Sequence, residues 1–142
     1  MKRPETADAA LLFLRVSASV LVLGVHGLPK ALHIRAQLGA IEDPLHLGSA
    51  FTLAFAILAE VACPVLMILG VLTRLAALPI IVVTVVALTL VHPDWNFGQA
   101  QSAWMLLILF STVAIGGAGR YRVALSPAFR WSTSQRRPPR GN

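Results

Sequence analysis

The sequence predicts an all-α fold, an integral membrane four-helix bundle with both termini in the cytoplasm. Of its 142 residues, 56% are hydrophobic and only 13% are charged, a balance too apolar for an ordinary soluble domain. Four segments each approach the roughly 20 mostly apolar residues that a membrane-spanning helix needs. The basic residues are also divided unevenly between the connections on the two sides of these segments, which is typical of a multi-pass membrane protein.

The four predicted spans cover residues 8 to 29, 50 to 71, 74 to 91 and 102 to 118. The first follows Lys2 and Arg3 as a secretory signal would, but Arg15 interrupts its apolar stretch and no convincing cleavage site follows. We therefore read it as a permanent span. The second and third spans are almost continuous, and we expect Gly70 to permit a tight turn between them and Thr73 to cap the next helix.

The distribution of Lys and Arg predicts the orientation. One side carries Lys2, Arg3, Arg74 and the six arginines from residue 120 onward, whereas the other carries only Lys30 and Arg35. This bias favours both termini in the cytoplasm. We expect the chain to be a multi-pass protein of the cell inner (plasma) membrane. We predict a membrane domain over residues 1–123 and a basic cytoplasmic tail over 124–142. The tail is read as a topology signal that contacts anionic lipid, and no nucleic-acid partner is expected.

Polar and small residues recur at helical spacing in the first two spans. In the first span, Arg15, Ser19, Val22, His26 and Lys30 follow one another at steps of four, three, four and four residues. This spacing predicts that they share one face of the helix, pointing into the bundle. The second span has a comparable stripe, which consists of Ser49, Thr52, Ala56, Glu60, Cys63 and Met67.

Glu60 is the most deeply placed charged side chain. At about 1.5 Å of rise per residue, it lies roughly 15 Å from each end of its predicted span. An unpaired charge at that depth costs about 2.5 to 3.5 kcal/mol, and the long side chain of Arg15 can reach inward, so we expect Arg15 and Glu60 to pair. Three interpretations stay open: a structural salt bridge, a proton or ligand site, or a Glu60 that is protonated and does not meet Arg15.

Two histidines lie at the outer level of the predicted bundle, His26 near the end of the first span and His92 at the end of the third. Such a pair could contact a quinone head group, ligate haem as a bis-imidazole pair, or lie in the interface as satisfied polar side chains. Haem is the least favoured of these. His33 and His46 lie in the outer loop at a spacing that fits no strong metal motif, and we expect no metal site.

Several short motifs in order along the chain resemble the DoxX family of small four-helix bacterial membrane proteins. They are "HGLPK" at residues 26–30, Glu60, "GVLTRLAAL" at 70–78, "LVH" at 90–92 and "GAGRY" at 117–121, and Arg15 matches an arginine common early in that family's first helix. The likeness covers about residues 10 to 123. It implies a membrane bundle tied to redox metabolism, either a quinone-linked subunit such as the thiosulfate:quinone oxidoreductase type or a partner in an oxidative-stress complex.

The sequence thus leads to a subunit of a quinone-dependent oxidoreductase as the first functional hypothesis. In it His26 donates a hydrogen bond, Glu60 relays a proton and Arg15 holds Glu60 ionised, which makes these three the candidate catalytic residues. Candidate quinone-binding residues are His26, Lys30, Glu60 and His92. No side chain here stores electrons, so a partner subunit must hold a flavin, haem or iron–sulfur centre. The alternatives are a structural or assembly protein that anchors a partner complex, and a small-solute or proton conduit.

Overall fold

The computed structural model describes residues 5–122, and within that range the chain is helical with no strand. The predicted basic tail 124–142 lies outside the described residues. There are five helices in the described range. They are α1 (Glu5–Leu32), α2 (Ile34–Ala40), α3 (Ser49–Leu69), α4 (Thr73–Val91) and α5 (Gln101–Gly116). The all-α prediction is confirmed.

Three of these helices, α1, α3 and α4, are long and apolar enough to cross a membrane. The fourth apolar helix, α5, has 16 residues and spans about 24 Å, less than the roughly 30 Å of a bilayer core. The short helix α2 was not predicted, because its seven residues fall in the segment read as an outer loop. The structure therefore has three to four helices suited to a membrane, and a fifth that lies outside the predicted bundle of four.

Successive long helices along the chain run antiparallel, so their connections lie at two distinct ends of the bundle. We call the end with residue 5, the turn at 70–72 and the segment 117–122 the termini end, and the end with segments 33–48 and 92–100 the loop end. Helix α1 packs against α3 and α5, and α4 packs against the same two helices. The buried core between them includes small residues that let the helices approach closely. Its members are Ala18, Val22, Ala59, Cys63, Met67, Ala76, Ala77, Ile80, Phe110 and Val113.

The turn between α3 and α4 forms as predicted at Gly70 but not at Thr73. Gly70 is left-handed (φ 76°), and the N–H groups of Gly70 and Val71 donate to the carbonyls of Met67 and Leu66 at 3.0 and 2.9 Å. These bonds end α3 in the manner of a Schellman motif. The prediction that Thr73 caps α4 is wrong: Leu72 holds the cap position, and the buried Thr73 hydroxyl has no hydrogen-bond partner among the described residues.

Each of the three longest helices contains one π-helical turn: Leu23–Gly27 in α1, Leu58–Ala62 in α3 and Ala87–Val91 in α4. Each of these turns is closed by the residue immediately before a proline. The backbone N–H of that pre-proline residue donates to the carbonyl five residues earlier. The donors are Leu28, Cys63 and His92, and the prolines are Pro29, Pro64 and Pro93. Proline has no N–H to donate to the carbonyl four residues before it, so each of these turns stands beside an interrupted α-helical hydrogen-bond pattern. Leu28 and Cys63 themselves keep α-helical backbone angles (φ -61° and -64°).

The π turn in α1 changes which residues face the core. Arg15, Ser19 and Val22 are buried, as the spacing predicted. Because a π turn accommodates one extra residue, the next buried position is Gly27, five residues after Val22, and His26 is turned outward and exposed. The prediction that His26 shares the inward stripe is therefore wrong. In α3, by contrast, Ala56, Glu60, Cys63 and Met67 are buried as predicted.

Candidate functional site

A single ion pair lies between the middle of α3 and the loop-end part of α1. Lys30 Nζ is 2.5 Å from Glu60 Oε2, and the two side chains are 23% and 8% exposed. Glu60 lies roughly 13 to 17 Å from either end of α3, whereas Lys30 comes from the last turn of α1 and reaches toward it. Glu60 is deep in its helix and would be costly as an unpaired charge, and Lys30 supplies the partner from near the end of α1.

Two backbone features bring α1 close to Glu60. Pro64 has no N–H to donate to the carbonyl four residues before it, which is that of Glu60. Gly27 lies directly against this carbonyl: a Cβ at residue 27 would lie 2.2 Å from Glu60 O. The absence of a side chain at Gly27 thus allows α1 to touch α3 and brings Lys30, one turn later, within reach of the Glu60 carboxylate.

Lys30 also lines a cavity of about 300 Å³ at the loop end, between α3, α4 and the segment 40–47. Most of the lining is apolar, and Phe51, Phe55 and Val82 are also partly exposed on the outside of the bundle. The ionisable side chains in the lining are Lys30, Glu42 and His92. An apolar pocket with a few convergent polar groups is the usual form of a small-molecule site.

His92 stands at the end of α4, on the wall of this cavity. Its imidazole stacks on the indole of Trp95, with ring centroids 3.9 Å apart and planes inclined by 4°. His92 also closes the π turn of α4 through its backbone N–H. The position of His92 is therefore determined by its backbone hydrogen bond and by its stacking on Trp95. The imidazole forms part of one wall of the cavity.

The loop that covers the cavity is organised by Asp43. Its carboxylate accepts hydrogen bonds from the N–H groups of Leu47 and Gly48 at 3.1 and 2.7 Å, and from the Thr52 hydroxyl at 2.8 Å. The hydrogen bond from Thr52 is the main reason that the pKa of Asp43 is lowered, with further lowering by Gly48, Leu47 and the nearby His46. Asp43 thus satisfies the N–H groups of the two residues that immediately precede α3 and ties them to the Thr52 hydroxyl in its first turn.

The predicted pair of Arg15 and Glu60 does not form. Arg15 is 2% exposed, and its guanidinium donates to the carbonyls of Ala118, at 2.7 Å, and Tyr121. These contacts fix the segment after α5 against α1 at the termini end. The prediction is wrong because the long side chain extends toward the termini end, where free carbonyls are available, and because Lys30 occupies the position beside Glu60.

Of the five residues predicted for the site, the structure brings Lys30, Glu60 and His92 to one region of the bundle. Arg15 lies at the other end, and His26 is exposed and is not part of the cavity lining. The sequence reasoning missed Asp8, which is 1% exposed. Its position seven residues before Arg15 places both on one face of α1, and this spacing was the available signal.

Comparison with known families gives a match to DoxX over residues 10–93, which is more than half of the chain. The matched range includes α1 from residue 10 onward and all of α2 to α4, with Lys30, Glu60 and His92, and it ends before α5. Neither the comparison with curated proteins nor that with solved structures finds a match. With helices suited to a membrane and this family match, the chain belongs to the DoxX family and is a multi-pass membrane protein.

Proposed function

We propose that the chain is the membrane subunit of a quinone-linked oxidoreductase complex and that it binds a quinone head group in the loop-end cavity. The observation that carries this proposal is the Lys30–Glu60 pair, because Lys30 connects an otherwise isolated carboxylate to an apolar cavity of about 300 Å³. Intramembrane ionisable residues commonly mark ligand or proton sites.

The residues present fit a flat, apolar ring that carries carbonyl oxygens. Phe51, Phe55 and Val86 supply apolar walls, and the cavity volume is at the lower end of the range for small-molecule pockets. The Lys30 ammonium has three donors and gives only one of them to Glu60, so it can also donate to a carbonyl oxygen. The His92 imidazole offers a second polar contact on the same cavity.

A bound quinone supplies the chemistry of two electrons and two protons. In this chain, Lys30 would hold a carbonyl oxygen by a hydrogen bond, and Glu60 would accept or return one of the two protons through Lys30, while the second proton would exchange with water at the cavity. The donor role predicted for His26 thereby passes to Lys30, and Arg15 takes no part. Since no side chain in this site stores electrons, the electrons pass to or from a partner subunit with a flavin, haem or iron–sulfur centre.

The proposed topology follows from the division of charge. We include α5 as a fourth span, with both termini in the cytoplasm and the protein in the plasma membrane, because Arg74, Arg120 and Arg122 all lie at the termini end. The loop-end cavity then opens near the outer leaflet. Trp95, Phe97 and Trp104 lie at the same end, where an aromatic belt is typical.

Binding of a short-tailed benzoquinone or naphthoquinone to the purified full-length protein in lipid nanodiscs tests the proposal. Trp95 lies beside the cavity, so quenching of tryptophan fluorescence reports binding. Lys30→Gln is expected to weaken binding about tenfold, because it removes a charged hydrogen-bond donor. Arg35→Gln is the matched control, since it removes an exposed charge outside the cavity. Equal affinities of the two variants would refute the quinone site.

The second candidate function is that of a membrane anchor for a partner complex, with buried polar contacts that only join the helices. The Arg15 contacts with Ala118 and Tyr121 favour it, since they are of this kind. Glu60→Gln separates the two candidates when the whole complex is purified from its native membrane. Intact assembly with lost quinone-linked turnover supports the quinone site, whereas failed assembly of the variant, together with no quinone binding by the unaltered protein, supports the anchor.

A further inference from the structure

A second cavity, of about 770 Å³, lies at the termini end of the bundle. It is lined by the first turns of α1 and α4 and by the segment that follows α5. The charged side chains in its lining are Glu5, Asp8, Arg74, Arg120 and Arg122. Nothing in the quinone proposal uses these residues, which lie at the opposite end from Lys30.

Asp8 is the buried polar group of this cavity. It is 1% exposed, and its Oδ1 accepts a hydrogen bond of 3.3 Å from the Arg120 N–H. Its Oδ2 has no hydrogen-bond partner among the described residues. A buried carboxylate oxygen without a donor is costly, so the arrangement is suited to a ligand that brings a donor, above all a positively charged one.

Three arginines surround the same space. Arg120 and Glu5 are 3.6 Å apart, but both are mostly exposed, so their attraction is weak and leaves the guanidinium available. Arg74 lies against the backbone of Gly117, where a Cβ would come 2.9 Å from its Nε. Guanidinium groups bind phosphate oxygens through paired hydrogen bonds. The cavity thus combines donors for a phosphate with one unmatched acceptor.

The cavity also lies at the depth of lipid head groups. Glu5 and Arg74 belong to the first turns of α1 and α4, helices whose apolar lengths suit a membrane, so the cavity is at the edge of the apolar region. We propose that it binds the head group of an amino-phospholipid, phosphatidylethanolamine, with the phosphodiester on the arginines and the ammonium on Asp8 Oδ2.

Phosphatidylethanolamine and phosphatidylcholine with identical acyl chains test this proposal. Both head groups carry a phosphate and a positive nitrogen, but only the ethanolamine nitrogen has N–H groups to donate to Asp8. Native mass spectrometry of the full-length protein in detergent, with each lipid added, should show about tenfold tighter binding of phosphatidylethanolamine. Equal binding of the two lipids would overturn the proposal.

Two variants then assign the groups. Asp8→Asn should abolish the preference for ethanolamine over choline, whereas Arg74→Gln should weaken binding of both lipids and keep the preference. Arg35→Gln, an exposed arginine in α2 at the other end, is the control and should change neither. A preference that survives in folded Asp8→Asn protein contradicts the proposal. If that variant does not fold, the comparison of the two lipids on the unaltered protein still decides.

Inorganic phosphate is the remaining source of the same chemistry. It is added over a range of concentrations to the protein loaded with phosphatidylethanolamine, and the loss of the lipid adduct is measured. Retention of the lipid at millimolar phosphate supports a head-group site. The opposite result is that phosphate displaces the lipid and that phosphate alone raises the thermal stability of the protein as much as phosphatidylethanolamine does. That result would assign the cavity to the free anion and overturn the lipid proposal.

Discussion

Gly27 of α1 lies so close to the Glu60 carbonyl of α3 that a Cβ at residue 27 would be 2.2 Å from the oxygen. Gly27→Ala should therefore force the two helices apart and lower the free energy of unfolding by about 1 to 3 kcal/mol. Gly24→Ala is the matched control in the same π turn, since its Cβ would meet nothing within 4 Å. Thermal unfolding in detergent measures both, and equal effects would contradict the close contact.

The Lys30–Glu60 pair gives a prediction on stability that is independent of quinone binding. Glu60→Gln should destabilise the protein by about 3 kcal/mol, the low end for a broken buried pair, because Lys30 is still 23% exposed. The double variant with Lys30→Met should recover most of the loss, since no unmatched charge remains. A double-mutant cycle from thermal unfolding measures the coupling, and simple additivity of the two changes would show that the pair adds nothing.

Arg15 should control the order of the segment after α5. Arg15→Lys keeps the charge but cannot form both hydrogen bonds to Ala118 and Tyr121 as the planar guanidinium does. We expect faster trypsin cleavage after Arg120 and Arg122 than in the unaltered protein. Ser17→Ala, which changes a partly exposed hydroxyl on the same helix, should leave the cleavage rate unchanged. An unchanged cleavage rate in the Arg15→Lys variant would show that the order of the segment after α5 does not depend on the Arg15 contacts.

Asp43 makes stability at acid pH depend on the loop before α3. Its pKa is lowered in the folded protein, chiefly by the hydrogen bond from Thr52. The stabilisation is therefore complete above the ordinary pKa of an aspartate, about 3.9, and is lost as the pH falls through the lower folded value. Thermal unfolding measured between pH 3 and 7 should show that the Asp43→Asn variant loses less stability on acidification than the unaltered protein does. Glu42→Gln, the neighbouring exposed acid, should keep the original slope.

The sequence predicted the helical segments to within a few residues because long apolar runs leave few alternatives. It did not predict α2, because seven residues are too few to show a clear helical periodicity of apolar residues. It also did not predict the outward position of His26. That error arose because the stripe was drawn with uniform α spacing across a π turn. The prolines at residues 29, 64 and 93 were visible, and each follows a π turn by two residues. Pro79 lies inside α4 without a π turn, so a proline in an apolar run does not by itself reveal the shift.

The candidate site was predicted in part. Glu60, Lys30 and His92 were identified by their polarity within or beside apolar runs, and the structure places them at one region. The predicted partner of Glu60 was wrong. The helical rise per residue gives the depth of a residue along the helix axis, but it does not give the direction in which a long side chain such as that of Arg15 extends. Arg15 found acceptors in a segment more than 100 residues away, which no local pattern encodes.

That separation has a consequence for biosynthesis. The Arg15 guanidinium enters the membrane early, but its acceptors at Ala118 and Tyr121 are translated 103 and 106 residues later. At common elongation rates this interval lasts about 5 to 20 seconds. During that time the first helix carries a cation without its final acceptors, and the length of the side chain, which can extend toward the membrane surface, lowers the cost of that state.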